Sequence, residues 1–215
     1  MTYLALGDSI SIDLYTEVAG GGAASQLAQL LKADSFLNLT RDGTVSEQVL
    51  RDLRQGWQMP NRPIIDAVTL TLGGNDLLSG HFSRQAGGRG DGAISFETFS
   101  QNFKEIAEIL ARLKCPVVMN TIYDPTDGDD KKAAELGLVA EARQGLTVAN
   151  AFIRRTAQFH GFLLCDLETL FHGHGFWSSD PWIVFQIEPS HLGATKIAEA
   201  WHDLIRTSLP SWGER

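Results

Sequence analysis

Five short apolar runs, separated by longer stretches with helical periodicity, constrain the fold of this chain more than any other feature of its sequence. Each run is apolar on both faces, as strands in the middle of a covered sheet are. The stretches between and after them carry apolar residues at spacings of three and four, which is typical of amphipathic helices. This alternation predicts a parallel sheet with helices on both sides, a three-layer α/β/α sandwich. The predicted strands are residues 2–6, 35–39, 67–72, 116–122 and 162–166.

The helical stretches contain no internal repeat and no low-complexity linker, so residues 1–215 are expected to form one domain. Two polar segments are interpreted as surface loops of that domain, the glycine-rich residues 83–93 and the acidic residues 124–132. The predicted helices are residues 23–33, 96–113, 142–159 and 192–209.

The charge balance and the apolar runs exclude several classes of partner. Lys and Arg number 18 against 26 Asp and Glu, and the resulting net charge of −8 makes nucleic acid an unfavourable partner. No apolar run approaches the ~18 residues of a membrane span. The start lacks a basic segment followed by an apolar stretch, so a cytoplasmic location is expected. Cys115 and Cys165 stand at or within apolar stretches and are interpreted as small buried hydrophobes.

Polar residues follow three of the predicted strands directly. The first strand leads into "GDSIS" with Ser9, the second into "TRDGT" with Gly43, and the third into "GGND" with Asn75. In a parallel sheet these positions meet at the carboxyl edge, where ligands bind. Ser9 has the chemistry of a nucleophile, and at the start of a helix its N–H would also favour developing negative charge. Gly43 and Asn75 would add a backbone and a side-chain donor for an oxyanion. The same residues are also ordinary turn formers.

A nucleophilic serine needs a base, and His191 is the best candidate among six histidines. It lies in "IEPSHLGATKIAEAW", three residues after Glu188, a spacing at which a tight turn can place a carboxylate beside an imidazole. On this segment alone, a helix start with Ser190 as N-cap and an exposed His191 is an equally good interpretation. His172 and His174 alternate with glycine and have no acid or cysteine cluster nearby in the sequence. This pattern is only weak evidence for a metal site. No cofactor or metal is expected.

Four segments together resemble the GDSL-type (SGNH) hydrolase superfamily of esterases, lipases and thioesterases. "GDSIS", "NLTRDGTVSEQVL", "LTLGGNDLL" and "EPSHLGATKIAEAW" stand in the order of that family's four motifs and span nearly the whole chain. The resemblance implies Ser9 as nucleophile, His191 as base, and Ser9, Gly43 and Asn75 as the oxyanion hole. It also implies a flavodoxin-like sheet with strand order 2-1-3-4-5.

One residue departs from the family pattern, whose final motif is usually Asp-x-x-His. Here Glu188 occupies the acid position, and Asp180 is the nearest alternative acid. A glutamate can orient a catalytic imidazole, although its carboxylate must approach from a different backbone position.

The resemblance favours a serine esterase that acts on a small-molecule ester through an acyl-enzyme. An acyltransferase using the same triad and, in a different class, a non-catalytic flavodoxin-like ligand-binding module are the alternatives. Trp177 and Trp182 lie shortly before His191, where they would either line an acyl or alcohol pocket or belong to the core.

Overall fold

The computed structural model describes residues 1–56, 63–85, 95–138 and 140–208. Its main sheet has five parallel strands in the order β2-β1-β3-β4-β5. This arrangement confirms both the α/β prediction and the strand order that the resemblance implied. The strands are β1 (Thr2–Gly7), β2 (Ser35–Thr40), β3 (Ala67–Thr71), β4 (Val117–Asn120) and β5 (Leu163–Cys165).

Helices connect the strands, and a short antiparallel pair, β6 (Ile183–Val184) and β7 (Glu188–Pro189), precedes the last helix. The four predicted helices are all present. The helices are α1 (Ala23–Leu30), α2 (Ser46–Gly56), α3 (Gly74–Gln85), α4 (Phe96–Ala111), α5 (Asp130–Glu135), α6 (Ala140–His160), α7 (Leu167–Leu170) and α8 (His191–Ser208).

The two faces of the sheet carry separate hydrophobic cores, because successive side chains of a strand point to opposite faces. Leu4 and Leu6 of β1 pack with the side chains of α2, α4 and α6 on one face. Tyr3 and Ala5 pack with α1 and α8 on the other face, where Trp201 is fully buried. The predicted three-layer sandwich is therefore confirmed.

Helices α2, α3, α5 and α7 were not predicted from the sequence. The apolar stripe of α2 consists of three buried residues, Val49, Leu50 and Leu53, in an otherwise polar segment. Of the two predicted loops, residues 83–85 end α3 and residues 86–93 lie outside the described residues. Residues 130–132, the end of the second loop, begin α5.

Both cysteines are at least partly shielded from solvent. Cys165 is buried and Cys115 half-buried, and burial raises the pKa of their thiols to about 12 and about 11. Both thiols are therefore neutral near pH 7. Within the described ranges, no helix is long and apolar enough to cross a membrane.

Candidate active site

Ser9 lies in the connection that leaves the end of β1. A single 3-10 turn, Ser9–Ser11, follows Asp8, whose carboxylate accepts a hydrogen bond from the Ile10 N–H at 3.3 Å. The Asp8 N–H donates to the carbonyl of Thr71 at the end of β3, at 3.2 Å. Ser9 is only 6% exposed. The helix considered at Ser9 is replaced by a three-residue turn, so a helix dipole does not contribute there.

Gly7 allows this turn to lie against β3. Its φ of +127° is in the region that side-chain-bearing residues rarely adopt, and a Cβ would lie 1.8 Å from the Thr71 carbonyl oxygen. The hydroxyl groups of Ser11 and Thr71 are 2.8 Å apart and add a second contact between the turn and β3. The glycine before Ser9 is therefore required by backbone geometry.

Asn75 is the second residue of α3, directly beyond β3, and lies beside the loop that follows β2. Its side-chain amide donates to the Thr44 carbonyl at 3.1 Å. Gly43, the residue before Thr44, is exposed and has a left-handed φ of +66°, with open space where a Cβ would be. Glycine is favoured there by conformation and not by crowding. The structure thus brings the two predicted oxyanion donors, Gly43 and Asn75, to neighbouring segments.

Asp76 holds these two segments together, a role that the sequence analysis did not assign. Its carboxylate accepts hydrogen bonds from the N–H of Ser46 at 3.0 Å and from the Ser46 hydroxyl at 2.5 Å. Ser46 is the first residue of α2, and Asp76 is 3% exposed. Burial raises the pKa of Asp76. The sequence signal for the start of α2 was Ser46, which precedes the three apolar residues of that helix.

Glu188 lies in β7, which packs against the Ser9 turn, and is 6% exposed. Burial raises the pKa of Glu188 to about 7, the Ser9 hydroxyl opposes that rise through a hydrogen bond, and the charges of Asp8 and Asp42 add to it. Its second carboxylate oxygen is buried without a hydrogen-bond partner among the described residues. The predicted nucleophile therefore lies beside a buried carboxylate whose surroundings disfavour its charge.

Other acidic and phenolic groups surround this pair. Burial raises the pKa of Asp8 to about 6. The Tyr15 hydroxyl donates to Asp42 at 3.0 Å, and burial together with this carboxylate raises the pKa of Tyr15 to about 12. The surroundings of Ser9 are therefore acidic, which disfavours an anionic substrate and favours a positive charge that develops nearby.

Tyr123 supports the segment that leads into Glu188. Its hydroxyl donates to the Ile187 carbonyl at 2.5 Å, and its ring stacks on Phe171 at a centroid distance of 4.4 Å. Tyr123 is 5% exposed. A buried aromatic residue beyond β4 therefore fixes the backbone next to the acid, and no pattern in the sequence indicated it.

His191 is the first residue of α8 and its side chain is exposed. The Ser190 hydroxyl accepts from the Gly193 N–H at 3.1 Å, so the expected cap at Ser190 is present. The His191 ring lies against the loop before α1, because a Cβ on Gly21 would be 2.9 Å from its Nδ1. Among the described residues, no hydrogen bond joins the ring to Ser9 or to Glu188.

The remaining histidine and acid candidates lie elsewhere. The Asp180 carboxylate is 3.3 Å from Nδ1 of His174, whose ring stacks on Trp182 at 3.7 Å. Trp182 is buried in the core beside α8, whereas Trp177 is 36% exposed. In the part of the chain that the structure describes, no group of three His, Cys, Asp or Glu residues could hold a metal ion.

Comparison with known proteins identifies a matching family and several solved structures that are similar to this chain. The model of the GDSL-like lipase/acylhydrolase family matches residues 5–196. A lipolytic G-D-S-L family protein from Veillonella parvula is 16% identical, with a TM-score of 0.69 over 94% of this chain and 96% of that one. The acetylxylan esterase Axe2 from Geobacillus stearothermophilus is 15% identical, with a TM-score of 0.67 over 95% and 93%.

An extracellular lipase from Streptomyces rimosus is 19% identical, with a TM-score of 0.65 over 96% of this chain and 98% of that one. A search of curated proteins gave no match. At these identities the structural likeness shows a common fold that covers nearly the whole length of each protein.

Proposed function

Because the chain belongs to the GDSL-like lipase/acylhydrolase family, it is a GDSL-type esterase, and we propose that it cleaves small-molecule carboxylic esters through an acyl-enzyme on Ser9. The Ser9 hydroxyl attacks the ester carbonyl while His191 takes its proton. His191 then protonates the leaving alcohol and activates the water that releases the acid. The N–H groups of Ser9 and Gly43 and the Asn75 amide bind the oxyanion.

The observation that carries this proposal is the buried Glu188 carboxylate, which lies in the strand packed against the Ser9 turn and three residues before His191. A carboxylate is rarely buried without an ion pair. Its retention here is explained if it stabilises the imidazolium that forms when His191 accepts the Ser9 proton. Glu188 is therefore proposed as the acid of the triad, and the place of Asp180 beside His174 argues against the alternative.

The exposed position of His191 is compatible with its role as base. Its ring makes no hydrogen bond among the described residues, so no bond has to break before it reaches Ser9. Catalytic hydrogen bonds are often long in the absence of substrate and tighten when it binds. The exposed side of His191 also gives a leaving alcohol and an incoming water direct access to the base.

A fluorophosphonate probe and p-nitrophenyl acetate test the proposal. Wild-type protein and Ser11→Ala, the matched control in the same turn, are expected to hydrolyse the ester and to be labelled at Ser9. Ser9→Ala is expected to lose both properties while its circular dichroism spectrum stays unchanged. Labelling of Ser9→Ala, or of Ser11 in the wild type, would contradict the assignment of the nucleophile.

The same experiment separates the alternatives. A binding module has no activated serine, so it would show neither labelling nor turnover. An acyltransferase would label at Ser9 but release p-nitrophenol much faster with an added alcohol than with water alone. A rate that is nearly independent of added methanol is expected for the proposed hydrolase.

A further inference from the structure

An apolar cavity of about 440 Å³ opens beside the Ser9 turn. Leu77 and Leu78 of α3 form one wall, Leu146 of α6 another, and Ile122 beyond β4 and Ala133 of α5 complete it. Its volume lies in the ~300–1,000 Å³ range of sites that hold small organic molecules. An acetyl group would leave most of it unfilled.

The cavity borders the backbone that carries the proposed catalytic residues. Its wall includes Asp8 and Ile10 on either side of Ser9, Gly74 before Asn75, and Ile187 before Glu188. A group bound covalently to Ser9 therefore has this cavity within its reach, because each of these wall residues is the immediate chain neighbour of a proposed site residue.

His191 lies away from this cavity. It is absent from the lining, and its ring packs on Gly21 in the loop before α1. A leaving alcohol has to be near His191 to receive its proton. The alcohol part of a substrate thus belongs on the His191 side, and the acyl part extends from the ester carbonyl carbon at the Ser9 hydroxyl toward the cavity.

The charged groups of the cavity wall disfavour an anionic acyl group. Among the described lining residues the only cation is Arg143, whose guanidinium is 2.7 Å from the Asp130 carboxylate and 3.9 Å from that of Asp124. Two acids already balance its charge, and Asp8 is also part of the wall. A carboxylate on the substrate would meet three wall acids against the single charge of Arg143, whose Nη2 is buried without a hydrogen-bond partner among the described residues.

We infer that this cavity is the acyl pocket and that the enzyme prefers esters of uncharged acyl chains of medium length, such as hexanoate, over acetate. This inference rests on the proposed function. Each methylene buried in an apolar site contributes about fourfold to kcat/KM. The four additional methylenes of hexanoate therefore give a preference of up to ~10²-fold over acetate.

Leu146→Trp fills the cavity, and Val148→Trp is its matched control because Val148 is on the same helix, 41% exposed and outside the lining. The ratio of kcat/KM for p-nitrophenyl hexanoate to that for the acetate is expected to fall ~10-fold or more in Leu146→Trp. The control should keep the wild-type ratio. Leu146→Ala, which enlarges the cavity, should shift the preference toward octanoate.

A second series varies the alcohol part of acetate esters from methyl to hexyl. The inference is supported if Leu146→Trp leaves this series unchanged, and it is overturned if the mutation alters the alcohol series and not the acyl series. An unchanged acyl ratio in Leu146→Trp would also overturn it. Hydrolysis of a hemisuccinate ester as fast as that of a butyrate ester would overturn the exclusion of anionic acyl groups.

Failure of the proposed function has a different signature. Without a nucleophilic Ser9, none of the esters would be cleaved and fluorophosphonate would not label the protein. The cavity is tested even then by NMR titration with hexanamide, an uncharged acyl compound that requires no turnover. Wild type and Val148→Trp are expected to bind it, and Leu146→Trp to bind at least ~10-fold more weakly. Equal binding by all three proteins would overturn the inference.

Discussion

Replacement of Glu188 by glutamine should change stability and activity in opposite directions. The carboxylate is 6% exposed, and its pKa is raised from 4.5 to about 7. The folded protein therefore holds this proton more tightly than the unfolded chain does. The resulting stability is fully present below about pH 4.5 and is lost as the pH rises through about 7. This pKa change corresponds to about 3 kcal/mol of unfolding free energy.

Glutamine does not ionise, so Glu188→Gln escapes this loss. The difference in unfolding free energy between the variant and wild type should grow in favour of the variant by about 3 kcal/mol between pH 4.5 and 8. The change also relieves Asp8, whose charge is one cause of the raised pKa of Glu188. At the same time kcat should fall by up to ~10⁴-fold, because an amide does not stabilise the imidazolium.

Urea unfolding at pH 5, 6, 7 and 8 measures the first effect, and single-turnover hydrolysis of a p-nitrophenyl ester measures the second. Asp180→Asn is the matched control, since this exposed carboxylate contacts His174. The control should show neither effect. A stability difference that is flat with pH would refute the buried, unpaired state of Glu188. Normal turnover in Glu188→Gln together with a large loss of turnover in Asp180→Asn would refute the proposed triad.

Three further substitutions test other parts of the site. Asn75→Ala should lower kcat by ~10²–10³-fold with little change in KM, because the amide is proposed to bind only the oxyanion; a change confined to KM would contradict this role. The Cβ of Gly21→Ala would lie 2.6 Å from Thr16 Oγ1, 2.8 Å from the Val18 carbonyl oxygen and 2.9 Å from His191 Nδ1. The variant should lower kcat ~10-fold or more by displacing this loop and the ring; steady-state kinetics with a thermal-unfolding control measures it. Tyr123→Phe leaves the Ile187 carbonyl without its hydrogen bond and should cost about 1–3 kcal/mol in urea unfolding; an unchanged midpoint would contradict that contact.

The acidic surroundings of Ser9 and the charge-balanced cavity favour the same kind of substrate. Asp8, Asp42 and Glu188 lie around the nucleophile, and Arg143 is balanced by Asp124 and Asp130 at the cavity. An uncharged acyl chain avoids repulsion from both groups of acids. Binding energy for such a chain comes from burial of its methylenes and not from ion pairs.

The sequence by itself determined the main sheet and four of the eight helices in the described residues. Its five apolar runs are long enough to be strands, too short to be helices, and apolar on both faces, which only a covered sheet satisfies. Helices with broad apolar stripes, such as α4, were predicted because their apolar residues recur at spacings of three and four. The stripe of α2 is narrow, and α2 was missed.

The sequence also determined which residue types stand at the ends of the strands. Ser9, Gly43 and Asn75 follow β1, β2 and β3, and a parallel sheet brings such positions to one edge. Local pattern left both a turn and a helix start open at Ser9, because Thr71, which anchors the turn, is far away along the chain.

Only the tertiary structure decided the surroundings of the site. Glu188 is distant from Ser9 in sequence, and its place beside the turn, its burial and its raised pKa all result from how β7 packs against that turn. The cavity beside Ser9 is formed by side chains from α3, α5 and α6, which have no common motif. A short stretch of sequence sets which groups can react. The pKa of an acid and the shape of a cavity depend instead on every group that packs around them. Those neighbouring groups come from distant parts of the chain.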